Sequence, residues 1–336
     1  MMLMIHEAGI TYLVDAGRVG YLKDGIPEGG PLDDMSAELA YALLGTRAPH
    51  TPWWLEIGPA AFSLIAENPC TVAVAGAPRA VYLNRECVSQ VESVEVHLHQ
   101  DMVGVALVLS LEAGDTLTLS AAVRGVVTYI TCDAELREAI VLGSRGYCPF
   151  GDFPGLAGRR VRAGDHINLE VSSPTGIRTR VRTRLNASAA SVWLAYPRQQ
   201  TLRFSPVGEF VTLRDELALD AFGPFHVQQA DRRALRLLAP ETMRAHAVAR
   251  KTSSPTVRGL VQWPASGSPI LLGPDRQTVG GYARFGVIRR ADQYKVGRLW
   301  PGCGVTFEYG DVEGEIAAFE RARRAWMRRV KNHIIE

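Results

Sequence analysis

The sequence predicts a mainly β protein built from barrels or sandwiches. Runs of about four to eight residues, rich in Val, Ile, Thr and Tyr and bounded by Gly, Pro or Asp, recur along the chain, which is typical of strands and turns. Long helical patterns are scarce between these runs, so a parallel sheet with crossover helices is disfavoured. The predicted strands lie at residues 71–77, 93–99, 105–111, 116–120, 126–132, 166–171, 269–273 and 304–310.

Two segments predict helices. In DDMSAELAYALLG, residues 33–45, apolar side chains recur at helical spacing, Asp33 or Asp34 can cap the start, and Gly45 can end the helix. Residues 311–336 combine apolar side chains at near-helical intervals with acidic residues at the beginning and basic residues at the end, which matches the helix dipole. The sequence therefore predicts a short capped helix and a basic C-terminal helix.

The length of the chain predicts two domains. At 336 residues it is long enough for two packed cores. Linker-like composition near residues 175–190 places the boundary there. We predict a first half at 1–180 that carries a Gly-rich binding loop, a second half at 181–310, and the basic helix at 311–336.

Charge and cysteine usage exclude several classes of protein. The net charge of +2 is the difference between 37 basic and 35 acidic side chains, so no strong field draws nucleic acid or a membrane. The five cysteines are scattered without a CxxC pair, which argues against a zinc cage and a disulfide framework. No basic signal-peptide region begins the sequence, and no apolar run approaches the roughly 20 residues of a membrane span. We therefore expect a cytoplasmic protein.

Polar candidates first occur in a Gly-rich loop, VDAGRVGYLKDGIPEGGPLDDMS, residues 14–36. So many special backbone positions are more typical of a binding loop than of a simple connection. The loop carries Arg18, and Asp33 at its end lies where a helix N-terminus can receive a carboxylate oxygen. No Gly-Lys-Ser/Thr follows, so a separate nucleotide triphosphate site is excluded. Glu56, in the apolar strand LEIGPAAF, is either solvent-facing or buried against an arginine such as Arg18.

A second Gly-rich loop, residues 141–160, presents Ser144 and Arg145. Arg145 can grip a carboxylate with two hydrogen bonds, and a surface arginine that satisfies turn carbonyls fits the pattern equally well. The sequence leaves both interpretations open.

The richest candidate segment is residues 257–288, which contains DRQTVGGY. We expect a strand to deliver Asp275, Gln277 and Thr278 to a tight Gly280-Gly281 turn. Glycines at this place let another group approach the backbone, so amide protons could bind an oxyanion while the polar side chains supply directional hydrogen bonds. The sequence contains no Ser/His/Asp or Cys/His grouping and no metal-ligand set, so it predicts a polar site without a nucleophile.

The order of these segments resembles one family over residues 8 to 310. DAGRVGYLKDGIPEGGPLDDMS, LEIGPAAF, VAVAGA, VLGSRG, ADRRALRL and GLVQWPASGSPILLGPDRQTVGGY are similar to the successive motifs of the biotin-dependent carboxyltransferase family. That family includes allophanate hydrolase subunit 2, the C subunit of 5-oxoprolinase and the KipI antagonist. The resemblance implies two cyclophilin-like β-barrel halves.

The resemblance also implies partners and chemistry. The expected partner is a KipI-like protein that resembles allophanate hydrolase subunit 1, also called the B subunit of 5-oxoprolinase. In the 5-oxoprolinase branch a LamB/YcsF-like protein joins as the third subunit. The pair moves a carboxyl group from carboxybiotin to urea in one branch; the three-subunit complex opens 5-oxoproline with ATP in the other. The chain alone is expected to hold no cofactor or metal. Both chemistries handle a planar amide and an anionic carboxyl or phosphoryl group, which suits Arg18 and Arg145.

The site residues follow from the matched motifs. The resemblance assigns catalysis to Asp275, Gln277, Thr278 and Tyr282, and substrate binding to Arg18, Asp33, Glu56, Ser144, Arg145, Gln262, Gly280 and Gly281. Gln277 and Thr278 would position the amide, Tyr282 would close the pocket, and Asp275 would orient an arginine or accept a proton.

The chain departs from the family pattern at several places. A non-catalytic regulatory subunit, or a member recruited to another small-molecule pathway, therefore stays an alternative. The single departures are Val14, Tyr41, Thr46, Arg258, Trp263 and Ala283. Arg258 stands where a proline is usual. The run Ala230-Asp231-Arg232-Arg233-Ala234 replaces Ser-Asp-Arg-Met-Gly.

Overall fold

The fold consists of two compact units. The computed structural model describes residues 1–90, 92–96, 99–150, 153, 156, 158–170, 182–184, 194–207, 210, 221–244, 252–309 and 312–333. The first unit comprises Met1–Arg18, Gly29–Pro197 and Arg323–Glu336, and the second comprises Val19–Glu28 and Arg198–Ala322.

The first unit is built from antiparallel strands in three sheets. The strands are β1 Met2–Glu7, β2 Thr11–Asp15, β3 Trp53–Ile57, β4 Phe62–Ala66, β5 Cys70–Gly76, β6 Val81–Leu83, β7 Glu86–Ser89, β8 Glu92–Val96, β9 His99–Val103, β10 Val105–Leu111, β11 Thr116–Leu119, β12 Thr128–Cys132, β13 Glu135–Leu136, β14 His166–Glu170, β15 Arg182–Arg184 and β16 Ala195–Tyr196. The first sheet has the strand order β13-β14-β1-β4-β11-β6-β7, and the second has the order β15-β10-β5-β12-β3-β2. A small third sheet has the order β16-β9-β8.

The two larger sheets enclose one apolar core. Side chains from both, such as Leu64 of β4 and Val74 of β5, belong to the same buried cluster. Every residue of β5 is buried, because one face meets this core and helix α1, Asp34–Leu43, packs on β5, β10 and β12. Burial on both faces explains why CTVAVAG is continuously apolar or small instead of alternating.

Helix α1 confirms the prediction made from DDMSAELAYALLG. Asp33 is the N-cap, and its carboxylate accepts a hydrogen bond from the Ser36 amide. Gly45 follows the last turn with φ +58°, a left-handed conformation that favours glycine.

The second unit is a closed barrel. Its strands are β17 Gln199–Pro206, β18 Ala221–Ala230, β19 Ala234–Leu238, β21 Leu260–Trp263, β22 Ile270–Leu272, β24 Ala283–Ile288 and β25 Gly304–Tyr309, in the closed order β17-β24-β21-β22-β19-β18-β25. Two short strands, β20 Ser254–Pro255 and β23 Val279–Gly280, pair beside it. The short helix α2 is Glu241–Arg244, and 3-10 helices lie at Leu22–Asp24 and Arg290–Arg298 in this unit and at Gly45–Arg47 in the first.

Aromatic side chains fill the barrel. The Phe285 ring lies within 5.3 Å of four neighbours, at 4.6 Å from Phe210, 5.0 Å from Phe204 and 5.2 Å from both Phe222 and Trp263, measured between ring centroids. Trp263, which replaces a small family residue, is fully buried in this cluster. Its indole therefore serves the core of the barrel, and such ring pairs stabilise beyond their area burial.

The C-terminal helix α3 spans Val312–His333, as the sequence predicts. Phe319 stacks on Tyr294 at 6.2 Å, and Arg323 forms an ion pair with Glu38. No helix in the described part of the chain has the length and apolarity that crossing a membrane requires.

The mainly β class is confirmed, and one predicted strand is divided. Residues 93–99 were expected to form one strand, but β8 ends at Val96 and β9 begins at His99, and these two residues pair across a hairpin. The predicted 180/181 division between the halves stays a prediction, because residues 171–181 lie outside the described residues.

Candidate functional site

In the first unit, Asp15 organises the second Gly-rich loop. Its Oδ1 accepts hydrogen bonds from the Ser144 hydroxyl at 2.7 Å and the Gly17 amide at 2.9 Å, and its Oδ2 accepts one from the Arg145 amide at 2.6 Å. The Ser144 oxygen also accepts a bond from the Gly146 amide at 3.0 Å. Asp15 and Ser144 are buried, so this network fixes the loop that presents Arg145.

Arg18 lies against the same loop and is buried. Its guanidinium donates to the carbonyl oxygens of Gly146 and Tyr147 and stands 5.0 Å from the Phe153 ring centroid. The Nε of Arg18 and the Nε of Arg145 have no hydrogen-bond partner among the described residues. The structure therefore brings Arg18, Arg145 and Ser144 together and leaves donors on both arginines.

Glu56 and Asp33 meet through a buried tyrosine. The Tyr129 hydroxyl donates to Glu56 Oε2 at 2.8 Å and accepts from the Asp33 amide at 2.8 Å, and Glu56 Oε2 also accepts from the Leu32 amide at 2.8 Å. Burial first, and then the nearby Glu56 and Asp33 carboxylates, raise the pKa of Tyr129 well above its usual range. The phenol thus stays protonated and keeps donating.

The burial of Glu56 excludes one of the two interpretations made from the sequence. The side chain is 1 % exposed, so the solvent-facing alternative is wrong. Glu56 joins the end of the early Gly-rich loop to the sheet, since its bonds reach Leu32 and Tyr129. The Asp33 carboxylate is bonded to the amide and hydroxyl of Ser36, at 3.0 and 2.6 Å. The predicted roles of Asp33 and Glu56 as substrate ligands stay predictions.

In the second unit, Asp275 forms a buried ion pair with Arg232. The guanidinium donates twice, from Nε to Oδ2 at 2.7 Å and from Nη2 to Oδ1 at 2.9 Å. The backbone closes the same contact, because the Asp275 amide donates to the Arg232 carbonyl at 3.0 Å. Such a two-bond pair orients both groups, which fits the expectation that Asp275 orients an arginine.

Arg276 follows at once and is also buried. Its Nη1 lies 3.4 Å from Oε2 of Glu28, a residue of the early Gly-rich loop. Glu28 belongs to the second unit, so an ion pair joins part of that loop to the DRQTVGGY segment. Burial lowers the pKa of Arg276, and the nearby Arg258 adds to this while Glu28 opposes it.

The three polar side chains that follow are accessible. Gln277 and Tyr282 are exposed and Thr278 is half-buried, whereas Gln262 beneath them is 1 % exposed. Gln277 Nε2 donates to Gln262 Oε1 at 3.4 Å, and the Gln277 carbonyl accepts from the Thr256 hydroxyl. A shallow surface of amides and hydroxyls results, and it can donate to and accept from a planar amide.

The predicted Gly280-Gly281 turn is wrong, although the expected close approach exists. The turn lies at Pro274-Asp275, and Gly280 pairs with Ser254 as part of β23. Gly280 is needed for space, because a β-carbon there would lie 2.6 Å from Gln262 Nε2. The group that approaches the glycine is therefore the amide of Gln262.

Sequence reasoning missed several residues that build these clusters. The prediction of the site left out Asp15, Arg232, Thr256 and Glu28. The first three bond to predicted site residues, namely Arg145, Asp275 and Gln277. Glu28 bonds to Arg276, which lies between the predicted site residues Asp275 and Gln277. The unchanged Asp231-Arg232 inside the altered run was the available signal for Arg232. Among the described residues, no three His, Cys, Asp or Glu side chains are grouped so that they could hold a metal ion.

Comparison with known proteins agrees with the resemblance. The chain is 27% identical over 326 residues to the C subunit of 5-oxoprolinase from Escherichia coli (strain K12), and the match covers 96% of each chain. It is 23% identical over 311 residues to the urea amidolyase of Lachancea kluyveri, which covers 87% of this chain and 16% of that protein.

Solved structures share the fold. TTHA0988 superposes with a TM-score of 0.70 at 27% identity, over 92% of this chain and 56% of TTHA0988, so the chain spans about half of that protein. The K. lactis urea amidolyase superposes with a TM-score of 0.75 at 19% identity, over 99% of this chain and 20% of the amidolyase.

The match to a family profile covers most of the sequence. The profile described as carboxyltransferase domain, subdomain A and B, matches residues 24–309, which include the Glu28, Arg232 and DRQTVGGY positions. At 27% identity or less to the relatives above, the chain is a divergent member. The chain belongs to the carboxyltransferase domain A and B family.

Proposed function

We propose that the chain is one component of an ATP-dependent, amide-processing complex of the 5-oxoprolinase type. The observation that carries this proposal is the end-to-end match with the C subunit of 5-oxoprolinase, which covers 96% of both chains. The urea amidolyase match, by contrast, covers only 16% of a much longer protein. An alignment over nearly all of the C subunit supports a role like that of the C subunit.

The polar side chains support a substrate-binding role. Gln277 and Thr278 present an amide and a hydroxyl at the surface and hydrogen-bond a planar cyclic amide, while Tyr282 covers it. The buried Gln262 fixes the Gln277 side chain. Asp275 acts as a positioning residue, because both of its oxygens are held by Arg232.

In the first unit, Arg18 and Arg145 bind anionic oxygens. Both guanidinium groups retain an Nε donor without a partner among the described residues, and Asp15 and Ser144 fix the loop between them. An anionic carboxyl or phosphoryl group, as ATP-driven ring opening of an amide would generate, matches these donors.

The non-catalytic alternative was motivated by the altered run 230–234. Within that run the unchanged Asp231 caps the turn by accepting from the amides of Arg233 and Ala234 at 2.7 and 2.9 Å, and Arg232 holds Asp275. The backbone amides of the changed positions Arg233 and Ala234 donate to Asp231, so the substitutions are compatible with an intact turn.

The test uses the chain together with a KipI-like partner, which corresponds to the B subunit of 5-oxoprolinase, and a LamB/YcsF-like protein. We expect the purified complex to hydrolyse ATP only when 5-oxoproline is present, and not to carboxylate urea. Urea carboxylation with biotin carboxylase would instead support the carboxyltransferase alternative. An intact complex without either activity would leave the regulatory alternative.

A further inference from the structure

A short segment beside the barrel contains one buried threonine. Strand β20, Ser254–Pro255, pairs with β23, Val279–Gly280, and Thr256 follows β20 directly. Thr256 is 2 % exposed, although its sequence neighbours Pro255 and Val257 are exposed. Because buried polar groups are normally hydrogen-bonded, a buried threonine between two exposed residues indicates specific partners inside the protein.

The partners of Thr256 are two successive carbonyl groups. Its hydroxyl donates to the Gln277 carbonyl oxygen, and its amide donates to the Thr278 carbonyl oxygen at 2.8 Å. These carbonyls belong to the two peptide groups on either side of the Thr278 α-carbon, where the chain bends. Since peptide groups are planar, holding both of them restrains the two backbone angles of Thr278 and therefore the direction of its side chain.

The methyl group of Thr256 makes a separate contact. A β-carbon on Gly280 would lie 3.4 Å from Thr256 Cγ2, so the methyl group lies against this glycine. Threonine is branched at its β-carbon, and its side chain has few favourable rotamers. Packing of the methyl group on Gly280 therefore helps to keep the hydroxyl directed at the Gln277 carbonyl.

The strand that precedes Thr256 is attached to the barrel. The Arg284 guanidinium, on β24, donates through Nη2 to the Ser254 hydroxyl and to the Pro255 carbonyl oxygen. These are the two residues immediately before Thr256 in the sequence. Hydrogen bonds therefore connect the barrel wall, through β20 and Thr256, to the backbone of Gln277 and Thr278.

We propose that Thr256 is a positioning residue of the amide-binding surface: it holds the two peptide groups around Thr278 and so directs the Thr278 hydroxyl at the substrate amide. Thr256 acts through Thr278 and not by contact with the substrate, because its side chain is buried and its hydroxyl is bonded to Gln277. The inference rests on the proposed function and adds a residue that the family motifs did not assign.

Two substitutions at Thr256 separate the hydroxyl from the shape of the side chain. Thr256→Val keeps the branched shape and removes the hydroxyl, whereas Thr256→Ser keeps the hydroxyl. In the complex with the KipI-like and LamB/YcsF-like proteins, Thr256→Val should raise KM for 5-oxoproline about tenfold or more and leave KM for ATP unchanged. Thr256→Ser should keep KM for 5-oxoproline within about threefold of the unchanged chain.

The matched control is Thr252→Val, the same change at an exposed threonine, which should leave both KM values unchanged. A Thr256→Val complex with an unchanged KM for 5-oxoproline would overturn the inference. An equal increase in Thr256→Val and Thr256→Ser would also overturn it, because the hydroxyl would then not be the group that matters.

A double-mutant cycle tests whether Thr256 acts through Thr278. Thr278→Val removes the hydroxyl that is proposed to meet the substrate. In a Thr278→Val chain, adding Thr256→Val should raise KM for 5-oxoproline by no more than about threefold further, since the hydroxyl to be positioned is already absent. The same further increase as in the unchanged chain would contradict the inference, because independent effects multiply.

Arg284→Gln tests the attachment of β20 to the barrel. It removes the guanidinium that holds Ser254 and Pro255, and it should raise KM for 5-oxoproline about threefold or more. Arg236→Gln, which changes an exposed arginine on β19, is the matched control and should leave this KM unchanged. An unchanged KM in the Arg284→Gln complex would contradict the role given to β20.

The same measurements separate this inference from the proposed function. An active unchanged complex, together with a Thr256→Val complex of lower Tm and unchanged KM, would show that Thr256 serves stability alone; the function would stand and the inference would fall. An unchanged complex without 5-oxoproline-dependent ATP hydrolysis would remove both.

Discussion

Breaking the Arg232–Asp275 ion pair should strongly destabilise the barrel unit. The Asp275→Asn substitution keeps the shape of the side chain and removes its charge, so the buried Arg232 guanidinium loses the carboxylate that accepts from its Nε and Nη2. The two side chains are 5% and 2% exposed, and water therefore screens the pair very little. Removing one partner from such a pair costs about 3–5 kcal/mol in the free energy of unfolding.

Removing both charges should lower the free energy of unfolding much less than removing one of them. In an Arg232→Met, Asp275→Leu double variant no charge is left buried, and apolar replacement of a buried pair is often close to neutral. A double-mutant cycle therefore should show a coupling free energy of about 2 kcal/mol or more between the two positions.

Urea denaturation followed by circular dichroism measures these free energies. Because the chain has two compact units, the barrel transition is assigned by the near-ultraviolet signal of the Trp263 aromatic cluster. Arg137→Gln is the control, since Arg137 and Glu170 form an exposed pair at 61% and 57% exposure that water screens. An Asp275→Asn chain within about 1 kcal/mol of the unchanged protein would refute the reasoning.

Two further predictions concern the amide surface and pH. Gly280→Ala should displace Gln262 and lower kcat/KM of the complex about tenfold or more with little loss of stability, whereas Gly314→Ala, where a β-carbon meets nothing within 4 Å, should leave kcat/KM unchanged. Burial alone would raise the pKa of Asp292, but the hydrogen bonds from Arg203 help to hold that pKa below its usual range. Asp292 therefore stabilises the fold above about pH 4, and this stabilisation is lost as the pH falls through the lowered pKa. Urea denaturation should therefore show a difference between the unchanged chain and Asp292→Asn that shrinks below about pH 4, and a difference independent of pH would contradict this.

The local elements could be predicted from the sequence because their signals are local. The α1 helix has its cap, apolar spacing and terminal glycine within one short segment, residues 33–45, and the structure places the helix at Asp34–Leu43. Strand β5 was equally clear, because a short, continuously apolar run between turn residues is typical of a strand that is buried on both faces. The hairpin inside residues 93–99 was missed, because an alternating pattern does not show where the chain reverses.

The contacts of the polar side chains could not be predicted, because they depend on residues far apart in sequence. Glu56 was expected to face solvent or to be buried against an arginine; it is buried, and one of its partners, Tyr129, lies 73 residues away on a neighbouring strand. Arg232 pairs with a residue 43 positions later, and only the strand order of the barrel brings them together. Gly280 was expected to expose backbone amides to an oxyanion, which stays a prediction; the coordinates show that the Gln262 side chain lies against this glycine.

The turnover of the assembled complex with Gln277→Ala in this chain tests the central claim most directly. Gln277 is exposed and its side chain makes one long hydrogen bond, to Gln262, among the described residues, so the substitution should leave folding and assembly intact. We predict that 5-oxoproline-dependent ATP hydrolysis falls by about tenfold or more while co-purification of the subunits and the Arg236→Gln control stay unchanged. Full activity of a Gln277→Ala complex would contradict the claim that this chain supplies the amide-binding surface.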